Sequence, residues 1–244
     1  MLFNLVNILG VAVSLFKRTL GEFFFRRFML KYYSSNLLLD MNLEAKSETL
    51  KYIKINMADA PFFEKHHHMV NYVLKQIDGS GLNLEFGVGR GKSMRWIAST
   101  IKDTVHGFDS FDGIQEHWNG NLIGAFAQKR IPKFSDNVNL HIGYFNKTLP
   151  IFLKKYTDSI AFLHIDCDLY SSTAMIFKLL GNRLRPGSII LFDEYYNFYR
   201  WKHHEFKAFQ EFVKSNGLEY EYIGYSVTGQ QVAIKILANP TNQS

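Results

Sequence analysis

The sequence predicts an α/β fold, with a mostly parallel sheet, helices on both faces and an antiparallel pair of strands at its end. Three observations carry this. From residue 63 onward, short apolar runs alternate with helical segments, the pattern of a sheet wound by crossover helices. Three glycines, Gly87, Gly89 and Gly91, directly follow the first run, where a strand must turn tightly into a helix. The last two runs, residues 220–225 and 231–237, flank Ser-Val-Thr-Gly, a hairpin signal.

Taken in order, residues 63–76 read as a helix that follows a polar stretch at 42–54. The first strand covers 82–86, the next helix 91–101 and the second strand 105–108. Strands three and four cover 138–142 and 161–165, with a helix at 148–155 between them. A helix at 172–183 leads through Arg185-Pro186-Gly187 into strand five at 188–192. The helix at 203–215 ends at Asn216-Gly217, where glycine takes the left-handed cap. Residues 110–136 form the one long irregular segment, a length that marks a lid or binding loop.

Composition narrows the classes. Of 244 residues, 47% are hydrophobic and 20% charged, the balance of a globular protein with its own core. The single cysteine, Cys167, excludes an intrachain disulfide and suits a reducing, cytoplasmic setting. The net charge of +6 is dispersed, with no run of five like charges. No nucleic-acid module accompanies it, so nucleic acid is not expected as a partner.

The amino-terminal segment differs from the rest. Residues 2–16 are apolar and are followed by Lys17 and Arg18. That run is shorter than the roughly 20 residues of a spanning helix, and its charge falls on the wrong side for a signal peptide. Asn4, Asn7, Ser14, Arg18, Glu22 and Arg26 recur at three, four or seven residues, which places them on one narrow helical face. Residues 2–30 are therefore expected to form an amphipathic helix, with a break at Gly10 or Gly21. Its wide apolar face would dock on the main domain, on a second subunit in a homo-oligomer, or in the plane of a membrane with Arg26, Arg27 and Lys31 at anionic headgroups. The expected division is an appendage at 1–40 and a main domain at 41–244.

The glycine motif carries the first chemical signal. A phosphate-binding loop needs glycine where Phe86 stands, and a dinucleotide fingerprint needs it at Lys92 or Met94; both patterns fail. What remains is acidic-x-Gly-x-Gly-x-Gly, made of Glu85, Gly87, Gly89 and Gly91, with Ser93 following. Asp109 closes the second strand 24 residues after Glu85, beside Ser110. An acid at such a strand end can accept both hydroxyls of a ribose, or it merely caps a turn.

The second signal is acidic. His164-Ile-Asp-Cys-Asp-Leu-Tyr-Ser-Ser-Thr ends strand four, and Leu191-Phe-Asp-Glu-Tyr ends strand five. Neighbouring strands end at one crevice in such a sheet, so Asp166, Asp168, Asp193 and Glu194 should crowd together. Carboxylates so placed call for a cation or a proton, and an all-oxygen set favours a hard ion such as Mg²⁺. A zinc site at His66-His67-His68 or Lys202-His203-His204-Glu205 is not expected, because consecutive histidines diverge on a helix and no cysteine pair supports one.

The glycine motif resembles motif I of class I methyltransferases. The stretch from Glu85 to Leu237, with Phe-Asp-Ser-Phe-Asp-Gly at 108–113 and the two acidic strand ends, resembles the macrocin-type sugar O-methyltransferases. The resemblance implies a Rossmann-like fold with seven strands and S-adenosylmethionine as cofactor. It implies that Glu85 faces the methionine end of that cofactor, and that Asp166, Asp193 and Glu194 hold a divalent ion. Glu194 departs from the Asp-Asp or Asp-Asn usual in that pair. Asp168 is the first candidate for the general base, with Asp166 beside it; His117 in the lid and His164 are weaker ones.

The implied acceptor is a sugar hydroxyl of a glycan or small molecule. A phenolic or catechol-like metabolite is the alternative, and a non-catalytic cofactor-binding subunit of a membrane-bound complex is the alternative from another class. Trp118, Tyr195, Tyr196, Tyr199 and Trp201 are expected either to stack on a saccharide or to belong to the core.

Overall fold

A computed structural model describes residues 20–31, 34–78 and 80–240. Its contacts divide the chain into two compact units between Glu44 and Ala45. In the first, residues 20–31 are helical. Gly21 is helical, and the apolar run at 2–16, with Gly10, lies outside the described residues. Phe23, Phe24 and Phe25 are about 60% exposed on it.

The second unit is an eight-stranded sheet with helices on both faces. In chain order its elements are α1 (Leu37–Asn56, which begins in the first unit), β1 (Phe62–Phe63), α2 (His66–Leu74), β2 (Leu82–Phe86), α3 (Lys92–Thr100), β3 (Val105–Asp109) and β4 (Val138–Ile142). There follow α4 (Phe145–Lys155), β5 (Ile160–Ile165), α5 (Tyr170–Leu180), β6 (Leu184–Phe192), α6 (Glu205–Asn216), β7 (Glu219–Ser226) and β8 (Val232–Ala238). The strand order is β1-β7-β8-β6-β5-β2-β3-β4. Only β8 runs against its neighbours.

Alternation along the strands builds two apolar layers. Leu84, Phe86, Phe108, Leu163, Ile165, Ile190 and Phe192 share one layer with Phe152 of α4, Phe177 of α5 and Phe209 of α6. Val105, Phe162, Ile189 and Leu191 share the other with Val70 and Val73 of α2 and Met94 and Ile97 of α3. Each such buried side chain contributes about 1.5–3 kcal/mol.

Two elements depart from the expectation. The stretch at 42–54 belongs to α1, whose inward stripe is Ala45, Thr49, Tyr52 and Ile53. That stripe is anchored by polar contacts that periodicity does not register: the Tyr52 hydroxyl meets that of Tyr222 at 2.6 Å, and the Asn197 N–H donates to Thr49 Oγ1 at 3.0 Å. The two-residue strand β1 pairs parallel with the end of β7 and raises the sheet from seven strands to eight. Elsewhere the expected strands form with boundaries shifted by a few residues, and Gly217 caps α6 at φ +63° as expected.

Candidate active site

The order reverses between β2 and β5, where crossovers leave in opposite directions and a crevice opens at the carboxyl ends of the strands. A cavity of about 650 Å³ lies there. The glycine turn, the ends of β3, β5 and β6, the start of α5 and residues 113–126 all contribute to its wall.

The glycine turn is shaped by close approach. Gly87 sits at φ +94°, and a Cβ there would coincide with the carbonyl oxygen of Asp166. A side chain is therefore excluded for two reasons at once. Asp109 holds the turn from the neighbouring strand. Its Oδ2 accepts the N–H groups of Val88 (2.9 Å) and Gly89 (2.7 Å), and its Oδ1 accepts that of Phe111 (2.7 Å). Asp109 lines the cavity beside Ser110 while clamping the loop, so the turn-capping reading is realised in the structure, and any contact with a ribose would come in addition.

Glu85 is fully buried and does not line the cavity. Its Oε1 accepts the hydroxyl of Ser93 and meets His164 Nδ1 at 3.1 Å, while Oε2 is buried without a partner. Ser93 lines the cavity in its place, so Glu85 faces the site through that hydroxyl. Burial alone would lower the His164 pKa, but the hydrogen bond and charge of Glu85, with Asp193 and Glu205 beyond, raise it. The imidazole is thus committed to a buried pair, which removes it as a free base. Gly89 lines the cavity; Gly91 lies behind it against Phe134.

The acidic residues converge as expected. Carboxylate oxygens of Asp166, Asp193 and Glu194 lie within 4.8 Å of one another. Burial, and then the charge of Asp193, pushes Asp166 and Glu194 well above the usual carboxylate range. Glu194 Oε2 is buried with no partner. An orphaned buried oxygen in an all-carboxylate set is the environment a hard divalent cation satisfies, so these three residues fit one. Asp168 lines the same cavity; burial and then Asp193 raise its pKa to about 7. Its backbone is left-handed, at φ +62°, a strained conformation for a residue with a side chain.

Of the remaining candidates, Trp118 alone lines the cavity. His117 is exposed and does not line it; the neighbouring Trp118 turns inward instead. Tyr195, Tyr196 and Trp201 are core residues: the Tyr195 hydroxyl meets that of Tyr222 at 2.9 Å, and that of Tyr196 donates to the Ser226 carbonyl. Tyr199 is 41% exposed and also outside the lining. The aromatic wall is made by Trp118, Phe126, Tyr144 and Phe145.

Segment 110–136 is irregular, as expected, and is tied on both sides of the cavity. Ser171 donates to Glu116 from α5, and Tyr144 donates to Asp112 Oδ2 at 3.0 Å before α4. Sequence reasoning missed one buried member of the acidic group, Glu205, set aside with the zinc reading; it stands at the start of α6 with its carboxylate between the two acidic loops.

Comparison with known proteins agrees with this geometry. Residues 84–195 match the family model described as a methyltransferase domain. A 138-residue stretch is 30% identical to 8-demethyl-8-(2,3-dimethoxy-alpha-L-rhamnosyl)-tetracenomycin-C 4'-O-methyltransferase of Streptomyces olivaceus, covering 46% of this chain and 52% of that protein. The chain thus spans about half the length of that relative. Among solved structures, the O-methyltransferase NovP superposes with a TM-score of 0.52 at 22% identity, over 70% of this chain and 77% of NovP. The calicheamicin methyltransferase CalS11 gives 0.52 at 18% identity, over 83% and 94%. The fold is that of the class I methyltransferases.

Proposed function

We propose, from a chain whose residues 84–195 carry a methyltransferase domain, an S-adenosylmethionine-dependent O-methyltransferase that acts on a sugar hydroxyl of a glycosylated small molecule, with Mg²⁺ assisting. The observation that carries this reading is the meeting, in one cavity, of the Asp109-clamped glycine turn with the carboxylates of Asp166, Asp168 and Glu194. A saccharide acceptor is supported by the rhamnosyl substrate in the name of the Streptomyces olivaceus relative.

Residues 41–244 act as the catalytic domain. The glycine turn offers backbone approach to the cofactor, Ser93 and Ser110 contact it, and Asp109 accepts a ribose hydroxyl at its remaining lone pair. When bound, S-adenosylmethionine would supply an electrophilic methyl group, and a divalent cation, which Asp166, Asp193 and Glu194 would hold, would make the acceptor hydroxyl more acidic. The chain's own work is alignment and proton removal. Asp168, with a pKa near neutrality, takes the acceptor hydroxyl proton onto its carboxylate as the oxygen attacks. Residues 110–136, tied by Glu116 and Asp112, close over the acceptor and exclude water. Trp118 and Phe126 supply the apolar face against which a sugar ring packs.

Calorimetric titration of S-adenosylmethionine and S-adenosylhomocysteine tests the class. Micromolar binding is expected for the wild type. Asp109→Ala, which strips three loop N–H groups of their acceptor, should bind at least tenfold more weakly, about 1.4 kcal/mol. No binding by the wild type would end the reading. Unchanged affinity in the variant would end the role of Asp109. A turnover screen of nucleotide-sugars and glycosides against catechols then separates sugar from phenolic acceptors.

We further place the protein at the inner face of a membrane through residues 2–30. No helix among the described residues is long and apolar enough to cross one. The exposed Phe23, Phe24 and Phe25 next to Arg26 and Arg27 fit an in-plane helix at anionic headgroups. The full chain should float with phosphatidylserine-containing vesicles, and a chain lacking residues 1–30 should not. Equal behaviour of the two would remove the anchor, and self-association without lipid would assign the segment to a homo-oligomer instead.

A further inference from the structure

We propose that Glu205 is a positioning residue that sets the distance between the two loops bearing the cation-binding carboxylates, an inference that rests on the metal-assisted reading above. Glu205 is the first residue of α6 and is fully buried. A glutamate in the first helical turn ordinarily faces solvent or caps its own helix. This one engages two other segments. Its Oε1 accepts the N–H of Cys167 at 3.4 Å, and its Oε2 accepts the N–H of Glu194 at 3.3 Å.

The places of those two amides matter. Cys167 lies between Asp166 and Asp168 in the loop after β5, and the Glu194 amide follows Asp193 in the loop after β6. The span of a single carboxylate therefore fixes the registry of one ligand-bearing loop against the other. β5 and β6 pair up to Ile165 and Phe192, and one further bond joins the Asp193 N–H to the Ile165 carbonyl. Beyond that point Glu205 continues the ladder with a side chain. Among the described residues no ion pair involves Glu205, so its carboxyl group is held by the two backbone amides.

Reach and acceptor chemistry can be separated by substitution. Glu205→Asp keeps the carboxyl group but is one methylene too short to serve both amides. Glu205→Gln keeps the length but sets an amide N–H against a backbone N–H. The experiment is calorimetric titration of Mg²⁺, and of S-adenosylmethionine in chelator, into full-length wild type and both variants, with turnover followed against Mg²⁺ concentration. Both variants should bind Mg²⁺ at least tenfold more weakly, bind S-adenosylmethionine in chelator as the wild type does, and regain turnover at raised Mg²⁺. A generally damaged scaffold would lose the cofactor as well.

Mg²⁺ affinity within twofold of wild type in both variants would overturn the proposal. So would parallel loss of cofactor affinity, or a wild type that binds the cofactor but no Mg²⁺. A wild type that binds neither would overturn the methyltransferase reading itself, which keeps the two failures apart.

Discussion

Replacing Asp168 by asparagine is expected to lower kcat by about 10²- to 10⁴-fold with no change in cofactor affinity. Asn has the same shape and also tolerates the left-handed backbone at φ +62°, so the loop after β5 should keep its path. What it lacks is a site for the proton. Burial, then the charge of Asp193, holds the Asp168 carboxyl at about 7, and a base is most effective when its pKa matches the working pH.

The same position predicts a gain in stability. A left-handed residue with a Cβ stores on the order of 1 kcal/mol, and Asp168 adds one carboxylate to a group that already repels. Asp168→Gly should therefore melt higher than wild type in chelator while being as inactive as Asp168→Asn. Strain persisting beside a cavity in this way is the mark of a residue kept for chemistry over stability. Single-turnover rates, cofactor titration and thermal melts check all three statements. An asparagine variant with wild-type kcat would remove Asp168 from the mechanism, and a glycine variant that melts lower would remove the strain.

How far the sequence was legible follows from what kind of contact sets each feature. The two central strands β5 and β6 were readable because Phe162, Leu163, Ile190 and Leu191 are buried on either side of the sheet, which writes continuous apolar runs. The glycine turn was readable because Gly87 must admit the Asp166 carbonyl, a demand only one residue type meets. The convergence of Asp166, Asp193 and Glu194 came from topology alone, since neighbouring strands end together.

The rest depended on contacts with no local pattern. Tyr195, Tyr196 and Trp201 lie beside the acidic strand end, yet their rings turn into the core, and the hydroxyls of Tyr195 and Tyr196 find partners on β7. Glu205 stood in a His-His-Glu run that resembled a surface metal motif, while its partners lie 11 and 38 residues away. Glu85 reads as a cofactor contact, but Ser93 stands between it and the cavity. A side chain's neighbour across the fold is the part of a site that spacing does not encode.

Removing divalent cations should make stability fall as pH rises, opposite to the usual behaviour of acidic groups. Asp166, Asp168, Glu194 and Glu205 are all shifted upward, each chiefly by burial. A carboxyl whose folded pKa exceeds its unfolded value, about 4, favours the fold when protonated. That stability is full below about pH 4 and is lost as pH climbs through the folded pKa, about 7 for Asp168. His106 and His204, each lowered to about 4 mainly by burial, act in the other sense: their contribution is present above about 6.5 and is lost as pH falls through about 4. The two slopes overlap in acid, but a cation acts on only one of them. Mg²⁺ competes with protons for the carboxylates and leaves the histidines untouched. The stabilisation that Mg²⁺ adds should therefore be small at pH 5 and largest at pH 8, reaching about 2.7 kcal/mol when the ion stands at ~100 times its Kd. Scanning calorimetry with Mg²⁺ and with chelator at both pH values reads this difference directly, and Asp193→Asn should abolish it. An equal Mg²⁺ effect at both pH values would mean that the ion binds elsewhere. No effect at either would leave the carboxylates sharing protons, and the metal would have to be withdrawn from the mechanism.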